Sequence, residues 1–343
     1  ADSNSGTLVI SFIGFATKEV TFSSTNANLG SIQLAEDSSS LDEIVVVGKG
    51  VIDLATARKT PVAVSTIRAS EIQTRLGNQE FPEILNSTPS VYATKTGGGY
   101  GDSRINVRGF NQRNTAVIIN GQPVNDMENG WVYWSNWQGL SDVASGIQIQ
   151  RGLGASKLAV PSVGGTITVV TKSTEKNKGG VFSTSAGNDG FFKNTISYNT
   201  GVNDNGWAAS ILLGRWQGNG YIDGTEGEGT TYLFSLGYKP SEQHAFNFTF
   251  TGAAQWHNQR TTRLSIRDFQ NYGGSDEINR RFNADWGTLN GEEYTFRRNF
   301  YNKPIGTLNW DWNINDNLSL SSSFYGSWGR GGGTGSRGRN FGI

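Results

Sequence analysis

From residue 179 onward, apolar and polar residues alternate with a period of two, as in β-strands that have one apolar and one polar face. The clearest example places four apolar residues on one face: Tyr232, Phe234, Leu236 and Tyr238. The pattern predicts seven strands, at residues 179–187, 191–201, 207–216, 230–239, 245–256, 304–313 and 317–328. A soluble β-sandwich has the same period, so the alternation alone does not decide between a sandwich and a membrane barrel.

The lengths of the connections favour an antiparallel transmembrane β-barrel. Short connections alternate with long ones, of which the longest are 217–229 and 257–303, and only the short turn at 188–190 breaks the order. Membrane barrels alternate short periplasmic turns with longer extracellular loops in this way. A barrel with a plugged lumen has about 22 strands, so we expect this chain to be the N-terminal part of a longer polypeptide.

A compact mixed α/β unit is predicted just before the barrel strands, at residues 60–178. Strands are expected at 61–67, 91–94, 105–107 and 116–120. Helices are expected at 69–76, with Ser70 as the N-cap, and at 79–86, ending before Pro89. A unit of this kind, followed directly by barrel strands, suggests a plug domain inside the barrel.

The first 40 residues predict the end of a small all-β domain, with strands at 7–13, 17–22 and 31–34. Residues 41–59 follow as a linker that contains the run LDEIVVVG at 41–48. This run is either a last buried strand of the preceding domain or an exposed strand that is free to pair with the sheet edge of a partner. The Ser-rich and Gly-containing flanks favour the exposed strand.

Several segments, in this order, resemble the plug of TonB-dependent outer-membrane receptors: PVAVSTIRASEIQ, INVRGF, AVIINGQPV and GIQIQRGLGASKLAVPSVGGTITVVTK. LDEIVVVG lies where such receptors carry the TonB box, here Asp42, Glu43, Ile44, Val45, Val46, Val47 and Gly48. TLVISFIGFATKEV is similar to the end of a carboxypeptidase-regulatory-like domain, so this assignment is expected for residues 1–40.

The resemblance implies a location and a set of partners. It implies the outer membrane of a Gram-negative cell, with the plug and the N-terminal domain facing the periplasm. The expected partners are a TonB-type energy-transducing protein of the inner membrane, outer-membrane lipids and an extracellular substrate of unknown identity. A surface lipoprotein is a further candidate partner.

Two groups of residues are candidate sites. Arg108 and Arg151, each followed by Gly, look like the plug arginines that ion-pair with the barrel wall in such receptors, and the alternative is ordinary surface charge. An aromatic cluster in polar surroundings, either plug core or an outward stacking surface, supplies the ligand-binding candidates: Asn125, Asp126, Glu128, Trp131, Tyr133, Trp134 and Trp137.

Composition narrows the function classes. The chain has 29 basic and 29 acidic residues, so its charge gives no reason to expect a nucleic-acid partner. Because it has no cysteine, it has no disulfide framework and no thiol nucleophile. Neither His244 nor His257 has a Glu at metal-ligand spacing, and the Gly-rich runs at 97–101 and 152–157 do not match a phosphate-binding loop. We therefore expect no catalytic residues, metal or cofactor.

These observations predict an energised importer of a large or scarce substrate, such as a chelated metal, an oligosaccharide or a peptide. A non-transporting plugged barrel, acting as a surface adhesin or a secretion-system component, is the alternative. A passive porin is a weaker one, because a porin needs no exposed pairing strand.

If residues 44–47 pair with a partner as an added strand, Val46→Pro removes a backbone donor and blocks the ladder. We expect this variant of the full-length protein to lose energy-dependent uptake while it still folds and binds substrate at the cell surface. A variant that fails to fold would support the buried-strand alternative instead.

Overall fold

The computed structural model describes residues 5–12, 15–23, 29–34, 63–96, 100–152, 162–272, 278–315 and 317–335. Residues 42–48, predicted to be the TonB box, lie outside the described residues. The chain forms two compact units, Ala1–Val46 and Val47–Ile343.

In the first unit, β1 (Ser5–Phe12) and β2 (Phe15–Ser23) form an antiparallel hairpin. The strand predicted at 31–34 is wrong, because this segment adopts no regular secondary structure. A short apolar alternation there was too weak a signal on its own. Assignment of this unit to a carboxypeptidase-regulatory-like domain stays a prediction.

The second unit begins with the α/β plug. Its elements are, in chain order, β3 (Ala63–Arg68), α1 (Ala69–Leu76), α2 (Phe81–Ile84), β4 (Val91–Lys95), β5 (Ser103–Val107), β6 (Phe110–Asn111), β7 (Thr115–Ile119), β8 (Gln122–Pro123), α3 (Leu140–Val143), β9 (Gly146–Arg151) and β10 (Gly165–Val170). The central sheet has the order β3-β9-β10-β7-β8, in which only β10 and β7 are parallel. A second sheet has the order β4-β5-β6.

The plug core forms where the sheet meets α1 and α2. Ile72 and Leu76 are one helical turn apart, so both side chains lie on the buried face of α1. The predicted helix at 69–76 is confirmed, but Ser70 is not its N-cap. The N-cap is Arg68, whose backbone N–H donates to Glu71 Oε2 at 3.4 Å. The helix predicted at 79–86 is divided into α2 and a 3₁₀ turn, Leu85–Ser87.

The wall follows the plug. Its elements are β11 (Gly179–Ala186), β12 (Phe192–Asn199), β13 (Trp207–Gly218), β14 (Gly227–Tyr238), β15 (His244–Asn258), α4 (Ile266–Asn271), β16 (Trp286–Leu289), β17 (Glu292–Thr295), β18 (Arg298–Asn302), β19 (Ile305–Asn315), β20 (Leu318–Ser327) and β21 (Arg330–Gly333). Strands β11 to β15 are sequential antiparallel neighbours, and β15 continues through β19 to β20. All seven predicted barrel strands are therefore present.

The segment 257–303, predicted to be a plain loop, contains regular structure. Ser265 and Asp268 form a capping box that starts α4. β16 and β17 form a hairpin across the turn Asn290-Gly291, and both residues have the positive φ that a two-residue turn of this type requires. β18 pairs with the last four residues of β15. These elements are too short to give a clear periodic pattern in the sequence.

The two faces of the wall differ as the alternation predicted. On β14, Thr231, Leu233 and Ser235 are buried, whereas Phe234 points outward and is exposed. An aromatic belt crosses the outer face at the end of the wall with the short turns 200–206 and 239–243, called here the turn end. It consists of Trp207, Tyr238, His244, Phe246, Trp310 and Trp312, with neighbouring ring centroids 4.1–6.4 Å apart. Apolar outer faces with an aromatic girdle are typical of strands that face lipid.

Among the described residues, no helix is long and apolar enough to cross a membrane.

The plug docks on the wall through α3. Val143 forms an apolar cluster with Leu212 of β13 and Leu233 of β14. Gly139, which has φ +76°, precedes α3 and lies so close to Thr231 that a Cβ atom would collide with the threonine side chain. The close approach therefore requires glycine for both its conformation and its size.

This contact predicts the effect of Gly139→Ala. We expect it to destabilise docking by about 2–3 kcal/mol, combining left-handed strain with a clash. Gly109→Ala is the matched control, because Gly109 has φ +83° and open space around its Cα, so it should cost only about 1 kcal/mol of strain. Hydrogen exchange of 140–151 in the full-length protein measures both. Equal losses in the two variants would contradict the close docking.

Candidate functional site

A cavity of about 590 Å³ lies between the plug and the wall. It is at the end of the wall opposite the aromatic belt, called here the loop end, where the connections 187–191, 219–226 and 259–297 lie. The plug contributes residues around α2 and α3, and the wall contributes the ends of β12, β13 and their loops. Plug and wall together form this site.

Tyr100 of the plug is the centre of the aromatic lining. Its ring stacks on Phe191 with the centroids 5.9 Å apart and tilts against Trp216 at 5.0 Å. Trp216 Nε1 donates to Gln138 Oε1 at 2.5 Å, which ties the wall indole to the plug. Burial raises the pKa of Tyr100, so its phenol stays protonated and able to donate a hydrogen bond at neutral pH.

Two residues of the predicted aromatic cluster line the cavity, Trp134 and Trp137. Trp134 is buried, stacks on Phe81 with centroids 5.2 Å apart, and donates from Nε1 to Gln112 Oε1 at 3.0 Å. Trp137 is half-buried and packs against the plug core. Trp134 thus supports the cavity floor, while Trp137 offers ring surface to a ligand.

The other five candidates do not line this cavity: Asn125, Asp126, Glu128, Trp131 and Tyr133. Asn125 is used inside the plug: Oδ1 accepts from the backbone of Val117 at 2.8 Å, and Nδ2 donates to three carbonyl groups. Asp126 Oδ1 accepts from the backbone of Glu128 and of Asn129. Asn125 and Asp126 therefore shape the turn. For Glu128, Trp131 and Tyr133 a ligand contact stays a prediction.

The charged groups of the cavity are largely paired. Lys193 of β12 lies 3.0 Å from Asp142 of α3, and both side chains are mostly buried. Lys95 pairs with Glu83 at 3.3 Å. Burial of the carboxyl group raises the pKa of Glu80, against the opposing effect of nearby Lys95. Among the described residues, no group of three or more His, Cys, Asp or Glu side chains could hold a metal ion.

Arg281 joins three of the loops above the cavity. It lies within the long connection and contacts Asp189 at 3.1 Å and Asp223 at 3.0 Å. Hydrogen bonds to these two carboxylates raise the pKa of Arg281. Because Asp189 also lines the cavity, this cation fixes part of the cavity rim.

Arg108 and Arg151 do not contact the part of the wall that the structure describes. Arg151 donates to the Pro89 carbonyl at 2.9 Å and to Ser65 Oγ at 3.1 Å, both within the plug. Arg108 is exposed and has φ +53° in the tight turn between β5 and β6, next to Gly109. The predicted pairing with the wall is thus not found here. An ion pair between plug and wall that was not predicted joins Asp142 to Lys193.

No local sequence pattern could have identified this pair, because Asp142 of α3 and Lys193 of β12 are 51 residues apart. Gln138 and Trp216 are also far apart, at 78 residues. Tyr100 lies in a run of glycines, where a single large ring could have been recognised as a contact residue.

Comparison with known proteins gives the following similarities. Residues 56–166 match the family model of the TonB-dependent Receptor Plug Domain. The chain is 32% identical over 180 residues to the ferric enterobactin receptor PirA of Pseudomonas aeruginosa, covering 46% of this chain and 24% of that protein. It is 25% identical to the vitamin B12 transporter BtuB of Vibrio vulnificus, covering 57% of this chain and 32% of that protein. It is 27% identical to the TonB-dependent receptor P39 of Formosa agariphila, covering 57% and 17%. The chain thus spans a third or less of the length of these relatives.

Solved structures share the fold. The ferric citrate transporter FecA in the unliganded form superposes with a TM-score of 0.63 at 19% identity, covering 82% of this chain and 42% of that chain. The open form of the ferric-catecholate import receptor Fiu from E. coli K12 superposes with a TM-score of 0.62 at 13% identity, covering 83% and 41%. The architecture is therefore a plug with part of its surrounding barrel.

The Asp142–Lys193 pair predicts a stability effect. Asp142→Asn leaves a mostly buried ammonium group without its counter-charge, so we expect a loss of about 2 kcal/mol in plug docking. Hydrogen exchange of the backbone at 140–151 measures this loss of docking stability. Asp204→Asn is the control, because Asp204 lies exposed in a turn of the wall. Adding Lys193→Met to Asp142→Asn should recover most of the loss. Additive losses in the double variant would contradict the pairing.

Proposed function

Because the chain belongs to the TonB-dependent receptors, we propose that it is the plug-bearing part of an outer-membrane receptor for energised substrate uptake. The substrate binds at the loop end, in the cavity between plug and wall. A TonB-type protein of the inner membrane then engages residues 42–48 and pulls on the plug. Lipids of the outer membrane surround the apolar outer face of the wall.

The observation that carries this proposal is the shared lining of the cavity. Tyr100 and Trp137 come from the plug, and Phe191 and Trp216 from the wall. A ligand held by both parts changes the free energy of plug–wall contact, since it binds the docked arrangement. A cavity within the wall alone could bind a ligand but could not report its presence to the plug.

The lining also supports a ligand class. Lys193 and Lys95 have carboxylate partners, and Asp189 has Arg281. A charged ligand would compete with these pairs, and Arg260, which also lines the cavity, donates to the carbonyl groups of Arg280 and Phe282. An uncharged ligand with ring faces can stack on the aromatic side chains and use the neighbouring amides. We therefore propose a substrate without a large net charge. Relatives named for ferric enterobactin and vitamin B12 support a substrate too large for passive pores.

The test begins with the ligand that remains bound when the full-length receptor is purified without denaturant, identified by mass spectrometry. Calorimetry then measures its binding to Trp137→Ala and to the matched control Trp131→Ala, whose indole is outside the cavity. We expect roughly tenfold weaker binding for Trp137→Ala, from lost stacking and buried area, and unchanged binding for Trp131→Ala.

A second arm tests energy coupling. Deleting residues 42–48 should abolish uptake of that ligand into cells while surface binding remains. Uptake that continues after the deletion would indicate a passive pore, and binding without any uptake by the intact receptor would indicate an adhesin. Weaker binding by Trp131→Ala than by Trp137→Ala would move the site away from this cavity.

A further inference from the structure

The connection between β4 and β5 carries Tyr100 to the cavity. Its base is closed by the backbone N–H of Thr96, which donates to the Asp102 carbonyl at 2.8 Å. Gly101 N–H donates to Glu80 Oε1 at 3.0 Å, which joins this connection to the start of α2. The side chain of Asp102, two residues after Tyr100, is directed to the wall.

Asp102 meets two wall side chains at the end of β15. His257 Nε2 lies 3.1 Å from Asp102 Oδ2, and Gln259 Nε2 donates to the same oxygen. His257 is only 1% exposed, so these bonds are shielded from competing water. The plug and the wall are thus joined beside the cavity by a carboxylate and an imidazole.

Both ring nitrogens of His257 have hydrogen-bond partners. The other ring nitrogen, Nδ1, lies 2.6 Å from Gln255 Oε1. Gln255 uses its amide nitrogen to donate to Asn299 Oδ1 at 2.9 Å, which orients its oxygen toward the ring. Both ring nitrogens therefore face acceptors. Only the doubly protonated imidazolium can donate to both, and the neutral ring leaves one lone pair opposed to an oxygen.

Charged and titratable side chains lie near His257 on both the plug and the wall. Across the sheet its partners are Gly227 and Asn299, which do not titrate. On the plug side are Asp102 and, beyond Gly101, Glu80 with Lys95. At the next wall position Arg298 donates to Asn258 and lies 3.9 Å from Glu226. Asp102 is thus the one carboxylate bonded to the ring among the described residues.

Gly101 brings the plug backbone against the imidazole. It has φ +81°, and a Cβ atom there would lie 3.0 Å from His257 Cε1 and 3.1 Å from Ser135 Cβ. A side chain at position 101 would therefore crowd the imidazole, and glycine allows the plug backbone to approach the ring this closely.

We infer that Asp102 and the imidazolium form of His257 are a plug–wall latch that positions Tyr100 in the cavity and that loosens as pH rises. Asp102 and His257 are positioning residues, and Tyr100 is the residue that meets the ligand. The latch is complete while the ring is doubly protonated. When a rise in pH removes one of its protons, the ring can donate only one of its two hydrogen bonds, the contact with Asp102 loses its charge assistance, and the segment 100–102 becomes easier to release. The ligand-binding role of Tyr100 rests on the proposed function, but the latch itself does not.

Hydrogen exchange of the full-length receptor without ligand tests the latch directly. Protection factors for the backbone at 100–104 are compared at about pH 5.5 and about pH 8. We expect protection to fall roughly tenfold in the wild type, since a hydrogen bond to a charged group is worth about that factor. In His257→Gln it should be low and independent of pH.

His244→Gln is the matched control, because His244 lies in the aromatic belt at the turn end. It should behave as the wild type. If His257→Gln does not fold, Asp102→Asn tests the latch instead, because it keeps the side-chain shape and removes the charge. This variant should have lower protection at 100–104 than the wild type at about pH 5.5. Wild-type protection that is equal at both pH values, or a pH dependence that persists in the histidine variant, would overturn the latch.

This measurement separates the latch from the proposed function. Hydrogen exchange at 100–104 is measured without ligand and without an energy source, so a receptor that proves not to transport can still show the latch. Conversely, intact energised uptake together with pH-independent protection at 100–104 removes the latch alone. When the retained ligand is known, its affinity for the wild type should weaken from about pH 5.5 to about pH 8, and that of His257→Gln should not.

Discussion

The structure depends on the hydrogen bonds that the polar side chains on the inner face of the wall make with one another and with the plug. Strands with apolar residues directed outward must direct polar residues inward, and on β14 and β15 these are Ser235, Asn247 and Thr249. Buried polar groups are costly unless they are hydrogen-bonded. Thr249 Oγ1 bonds Ser235, Asn247 Nδ2 bonds Thr249, and Ser173 at the end of the plug reaches Asn247. These three inner-face side chains are therefore hydrogen-bonded partly by the wall itself and partly by the plug.

The apolar contacts between plug and wall are small: Val143 clusters with Leu212 and Leu233, and Tyr100 packs against Phe191 and Trp216. The other contacts are polar: Asp102 with His257 and, from residues 138–143, Gln138 with Trp216 and Asp142 with Lys193. The same segment supplies Trp137 to the cavity, so the docking contact and the ligand site share one stretch of chain. A change at either is transmitted through α3, which is only four residues long.

Much of the fold could be predicted from the sequence because local patterns encode it. The period of two located all seven long wall strands, and the helix predicted at 69–76 matches α1. Short elements such as α4 and β18 were not predicted, because they contain too few residues to show a periodic pattern. The N-cap of α1 was wrong because Ser70 is a common capping residue, yet Glu71 satisfies the end of the helix from within.

The candidate site was less predictable because its contacts are long-range. The sequence pattern of the aromatic cluster could not separate Trp137, which lines the cavity, from Trp131, which lies beside the guanidinium groups of Arg104 and Arg113. Asn125 was a reasonable ligand candidate from its polarity. Its amide is instead used by the backbone of its own turn, a bond that sequence does not reveal.

The difference between wall and plug contacts also sets an order of stability. Long neighbouring strands such as β13 and β14 pair over twelve residues each, so opening the wall breaks many backbone hydrogen bonds at once. Releasing the plug from this part of the wall breaks a few apolar and aromatic contacts and a few side-chain bonds. Regions with few apolar contacts open at a lower free energy than the strands that enclose them. A plug attached in this way can therefore be released from these strands while they stay paired with one another.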